Sequence, residues 1–162
     1  MKPEFVTVRL ERRQASVRLK LRWDRSPETC QTLVDMLPVR AQVWHAKYAN
    51  NEVYLLTSSP KVMPPGEWQT VYPAPGDLLY IPVPYGVPMP PGVAPSDRER
   101  GLLDIAYFYD RGSSTQAGPY GPLPGTIVAT AIDIESVERM AVACNDVWFK
   151  GAYEETLSIE LG

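Results

Sequence analysis

Residues Tyr107–Gly125 read YFYDRGSSTQAGPYGPLPG. An apolar strand runs into an Arg-Gly-Ser-Ser turn, followed by a loop with Gly at 118, 121 and 125 and Pro at 119, 122 and 124. A second, β-branched strand begins at Thr126. Proline fixes φ in such a loop and glycine frees it, so the segment reads as a stiff connection between two strands. It holds one arginine, Arg111, at the end of the first strand.

Strand signals continue on either side. Phe5–Leu10 alternates weakly and Ser16–Trp23 alternates well, which suggests an antiparallel hairpin. Val39–Tyr48 and Glu52–Thr57 form a second hairpin across Ala49-Asn50-Asn51, where asparagine tolerates left-handed turn geometry. Leu78–Pro82, Leu103–Asp110, Thr126–Ile132 and Thr156–Leu161 complete about eight strands. Two helices are expected. One starts at Ser26-Pro27-Glu28, with Ser26 placed to N-cap, and carries Cys30, Leu33, Val34 and Leu37 on one face. The other spans Glu135–Lys150, with Val137, Met140, Ala141, Cys144 and Trp148 as its stripe. Short hairpin-linked strands in this number close most readily as a barrel capped by the helices. Residues 1–162 are read as one domain, with a Pro-rich loop inserted at 82–101.

Bulk composition narrows the function classes. The chain has 162 residues, net charge −3 and 17 prolines, about twice the usual share of proline. No apolar run is long enough to span a membrane, and the N-terminus lacks a signal-peptide core, so a cytoplasmic protein is expected. Residues 1–25 carry a balance of +5 and the rest −8. The alternation of Arg18, Lys20 and Arg22 with Val17, Leu19, Leu21 and Trp23 reads as a solvated strand face, and the acidic pI argues against nucleic acid. Two cysteines and one histidine leave no set for a structural zinc, and no metal or cofactor is expected.

The helix SPETCQTLVDMLP (26–38), the pair WHAKYANNEVYL (44–55), YPAPGDLLYIP (72–82), the Arg-Gly-Ser-Ser and Gly-Pro-rich loop, and VWFKGAYEETLSIEL (147–161) resemble a bacterial family catalogued as a domain of unknown function with a cyclophilin-like fold. The resemblance covers most of the chain except 82–101. It implies a mainly β, closed eight-stranded barrel with two capping helices, and no particular activity. The Phe-His-Arg and Gln-Gly-Gly strings of true peptidyl-prolyl isomerases are missing.

Candidate site residues follow from chemistry. Arg111 can grip a carboxylate or amide bidentately, or simply pair with Asp110 or Asp104. Ser113 can donate to the same ligand or cap its turn. His45 is the one side chain with an ordinary pKa near neutrality, hence a general-base candidate or a plain strand residue. Glu52 can orient it, or serve as an edge charge. Tyr48, Tyr80, Tyr107 and Tyr109 are candidate pocket walls, and Trp68 and Tyr72 are loop aromatics suited to cover a ligand. The expected function is binding or processing of a small carboxylate- or amide-containing molecule at the barrel surface, with a hydrolase or isomerase of amide or cyclic-amide metabolism as its enzymatic form. A prolyl isomerase using Arg111 beside Met63, Phe108 or Tyr109, and a non-catalytic assembly domain, are the alternatives. Self-association through the 82–101 loop is left open.

Overall fold

A computed structural model describes residues 1–93 and 101–162. Residues 94–100, including the charged part of the Pro-rich loop, lie outside the described residues. Ten strands and two α-helices follow in chain order: β1 Phe5–Leu10, β2 Ala15–Leu21, α1 Pro27–Met36, β3 Val39–Gln42, β4 Trp44–His45, β5 Glu52–Ser58, β6 Gln69–Thr70, β7 Asp77–Val83, β8 Leu102–Phe108, β9 Gly125–Ala131, α2 Ile134–Lys150 and β10 Thr156–Leu161.

All strands join one antiparallel sheet in the order β3-β10-β1-β2-β9-β7-β8-β5-β4, with β6 paired to β9. This corrects the expected closed eight-stranded barrel. The hydrogen-bonded path ends at β3 and β4, so no ladder closes it. These two end strands are consecutive in sequence, separated only by Val43, whose amide donates to Glu155 O at 3.1 Å. The expected continuous strand 39–48 breaks there because its first half pairs with β10 and its second with β5.

The main core lies on one face of the sheet. Val6, Val8 and Leu10 of β1, Val17, Leu19 and Leu21 of β2, and Leu157 and Ile159 of β10 pack with Leu33 of α1 and Met140, Cys144 and Val147 of α2. On β1 and β2 the alternate residues face water. Their charges have intramolecular partners, among them Arg9–Glu160 and Lys20–Glu4, while Arg18 lies 3.8 Å from the Phe5 ring centroid. A solvated strand face fits this arrangement.

Strands β7 and β8 differ in being covered on both sides, which is why DLLYIPV and LLDIAYF read as nearly unbroken apolar runs. Leu78, Tyr80, Leu103, Ile105 and Tyr107 enter the main core. Leu79, Ile81, Ala106 and Phe108 point the other way and form a second cluster with Ile127 of β9 and with Val87 and Leu123 from loops.

Two polar devices hold the helices. Ser26 does not cap α1; its buried hydroxyl donates to Ile127 O at 2.8 Å. The carboxylate of Glu67 takes that place and accepts from the Thr29 amide and hydroxyl, both at 2.8 Å. A residue of the irregular segment thereby satisfies the orphan N–H groups of a distant helix. At the other end of the fold, Glu155 is fully buried and accepts from the amides of Arg12, Arg13 and Thr156. The Arg13 guanidinium closes the knot, 2.9 Å from both Glu155 and Asp146 of α2.

Candidate ligand-binding site

The second apolar cluster is incomplete, and the space left over it is a cavity of about 580 Å³. Its floor is the outer face of β5, β8 and β7. Side chains alternate across a strand, so Glu52, Tyr54 and Leu56 of β5 share that face, opposite Phe108, Ala106 and Asp104 of β8. Trp44 stands across from Tyr54 on the neighbouring strand. The roof comes from two loops: Val87, Pro88, Met89, Pro90 and Pro91 after β7, and Thr115–Pro119 with Leu123 from the loop after β8.

That second loop is held by its neighbours. Asn50 and Asn51 of the β4–β5 turn donate side-chain N–H groups to Gly112 O at 2.8 Å and Arg111 O at 2.7 Å. Leu123 N and Thr115 O close it at 3.0 Å. Gly118 adopts φ 55°, and a Cβ there would stand 3.1 Å from the Tyr48 ring. Only glycine meets both demands, and Tyr48 is thereby held at the cavity mouth.

The buried polar groups of the cavity floor and roof are few. Glu52 is only 4% exposed. Asp104 Oδ1 and Thr115 Oγ1 are buried without partners. Burial pushes Glu52 well above the usual carboxylate range, and the nearby Asp104 charge adds to this. Burial raises Asp104 likewise. The Tyr54 phenol is raised by burial and then by the two acids, so it stays a neutral donor. Lys47 and Tyr48 are exposed at the mouth.

His45 is in the wall, but not as a free base. It pairs with Val53, on the opposite side of the sheet from Trp44, and its ring faces α2. Nδ1 lies 2.8 Å from Ala46 O, and a carbonyl only accepts, so Nδ1 carries the hydrogen. Nε2, 2.7 Å from the Tyr109 hydroxyl, then accepts from it. Asn145 lies 3.4 Å beyond that hydroxyl, and the Trp148 ring packs on the imidazole at 4.9 Å between centroids. Burial lowers the His45 pKa. The folded state therefore favours the neutral ring, and stability from this group falls as pH drops below about 6.5, where the unfolded chain takes up a proton first. As the chain's one histidine, it should give a single imidazole NMR titration with a midpoint below that value. Tyr109→Phe removes the donor to Nε2 and should move the midpoint up. An unperturbed midpoint in the native protein would contradict this geometry.

Of the residues expected at the site, His45, Tyr48 and Glu52 line this cavity. Tyr109 and His45 line a smaller one of about 330 Å³ with Asn145, Trp148 and Phe149. Arg111 lines neither; its side chain is exposed at the turn, and among the described residues it pairs with neither Asp110 nor Asp104. Tyr80 and Tyr107 are buried in the main core because their strand positions face inward. Ser113 donates to Asp110 O at 3.0 Å and only shapes its turn. Trp68 stacks with the Arg22 guanidinium 4.6 Å from its ring, and Tyr72 is exposed away from the cavity. Glu52 does not orient His45, since the two side chains point to opposite faces, and it is no edge charge, since β5 is flanked on both sides. Trp44, Tyr54, Asp104 and Thr115 were missed. The signal for Asp104 was present: a lone acid inside LLDIAYF.

A family model described as a protein of unknown function, DUF3830, matches residues 8–159. The chain belongs to this family. No curated protein matches the DUF3830 sequence. Among solved structures, McbB in complex with tryptophan is similar to the DUF3830 chain, with a TM-score of 0.61 and 16% identity over 96% of this chain. That match covers 44% of the McbB chain, so the DUF3830 chain spans less than half of it. At this identity the likeness concerns the fold. Among the described residues no helix is long and apolar enough to cross a membrane. Among the described residues no cluster of three or more His, Cys, Asp or Glu could hold a metal ion.

Proposed function

We propose that the protein binds a small organic molecule in the cavity on the outer face of β5, β8 and β7. The observation that carries this is the combination of an open, mostly apolar space with unpartnered buried atoms on Asp104 and Thr115 beside the buried acid Glu52. Buried polar groups are normally paired within the protein, and a few convergent ones in an apolar pocket mark a ligand site. The fold likeness to a protein crystallised with tryptophan supports a ligand of that size. The finer fold reading, cyclophilin-like but with an open seam rather than a closed barrel, is supported by the adjacency of β3 and β4 across Val43. The anticipated amide fits the acidic floor through its N–H group. Among the described residues that line the cavity, a carboxylate would find positive charge at Lys47, at the mouth. Acid–base capacity for turnover resides in Glu52 and Asp104 rather than in His45, both of whose ring nitrogens are engaged.

A thermal-shift series of phenyl- and indole-bearing compounds, tryptophan included, tests the reading. A compound at about 100 times its Kd should stabilise by ~2.7 kcal/mol and raise Tm by roughly 5–10 °C. Ala117→Trp, which fills the cavity from its roof, should abolish the shift. Absence of any shift, or one that persists in Ala117→Trp, would sink the proposal.

A further inference from the structure

We infer that the cavity takes an organic cation, whose ammonium group sits over Tyr54 between Glu52 and Asp104 and whose apolar body lies beneath the 87–91 roof. The inference rests on the cavity being a ligand site. On the floor, Glu52 and Asp104 flank Tyr54, four residues apart in register, about 13 Å of strand rise between their backbones. Both side chains line the same cavity, and the Asp104 charge disfavours charge on Glu52. An occupant placed there meets two carboxyl groups, Asp104 Oδ1 being buried without a partner, and two aromatic faces, Tyr54 and its cross-strand neighbour Trp44.

That is the chemistry which recognises ammonium groups: carboxylate acceptors beside aromatic rings. An anion would meet two acidic side chains, and a neutral apolar group would leave Asp104 Oδ1 unpartnered. Thr115 points independently to a polar ligand, because its hydroxyl is 96% buried, unpaired and in the cavity lining. Among the described residues, the remaining titratable groups around the space are Lys47 and Tyr48 at the mouth and His45 in the wall. Burial favours the neutral form of His45, and Lys47 is exposed, so neither cancels the acidic floor.

Three probes with one body and different heads separate the cases: 4-phenylbutylamine, 4-phenylbutanol and 4-phenylbutyrate. By calorimetry at pH 7 the amine should bind at least tenfold more tightly than the alcohol, and the acid most weakly. The amine should also release up to about one proton per site as the carboxyls ionise against it, read from buffers of different ionisation enthalpy. Glu52→Gln and Asp104→Asn should each reduce the amine preference severalfold while retaining alcohol binding. Alcohol or acid binding as tight as the amine, lost in Ala117→Trp, would overturn the cation inference and leave the ligand site standing. An amine preference that survives both amide variants would overturn it too. If no probe binds the native protein, both readings fall together.

Discussion

Replacing Arg13 with Met should cost the protein about 3–5 kcal/mol. Glu155 has no exposure to water, and its carboxylate has one cationic partner, the Arg13 guanidinium at 2.9 Å. Removing that partner leaves a buried charge held only by the amides of Arg12, Arg13 and Thr156. The same guanidinium bridges to Asp146, so the variant also loosens α2 from the β1–β2 turn. For a chain of this size the loss corresponds to roughly 6–20 °C in Tm. Adding Glu155→Gln to Arg13→Met should recover part of it, because the amide oxygen still accepts from the backbone but no charge remains stranded. Equal Tm values for the Arg13→Met variant and the native protein would mean that water reaches Glu155.

The second large effect has the opposite sign. Glu52→Gln or Asp104→Asn should stabilise the ligand-free protein at pH 7 by about 1–3 kcal/mol, because the amide spares the folded state the cost of keeping a carboxyl out of its ionised form, about 1.4 kcal/mol per pKa unit. Both carboxyls have pKa values raised in the folded state, chiefly by burial. Their contribution to stability is complete below the unfolded-state values near 4 and is lost as pH rises toward the folded ones, because the unfolded chain ionises first. The native protein should therefore lose stability between about pH 4 and 7 through these groups, and each amide variant should flatten that slope. His45 acts in the reverse direction below about pH 6.5, so the slope is best read as a difference between variant and native protein. A variant less stable than the native protein at pH 7, with an unchanged slope, would show that the acids have partners in solution. Stability lost at a site in the empty protein is a common mark of a place built for an occupant.

Much of the fold was legible because the hydrophobic period survives in the chain. The hairpin β1–β2 alternates cleanly, with one face in the core and the other in water, and α2 carries its stripe and its Gly151 stop. Strand β6 was not legible, since Gln69-Thr70 is two polar residues long and has no period. The break at Val43 was hidden for another reason: local pattern does not record that neighbouring residues pair with different strands. At the candidate site, the sequence reading placed the chemistry of the loop 107–125 on Arg111. Arg111 draws the eye as a charge, yet the turn holding it faces solvent, and the loop contributes through Thr115–Pro119 and Leu123. Glu52 was found for its charge and mistaken in its role, because burial of an acid depends on what covers the far face of the sheet.

The coverage of β7 and β8 on both faces has a consequence for how selective the cavity is. Its floor belongs to the most deeply enclosed strands of the molecule, whose amides should exchange with deuterium only when the whole fold opens. Its roof is made of loops with fewer ladder bonds and should exchange far sooner. A ligand is thus read by two surfaces of unlike stiffness. The head group meets a fixed template at Glu52, Tyr54 and Asp104, where small changes of shape or charge are penalised. The tail meets a yielding cover, where bodies of different outline fit equally well.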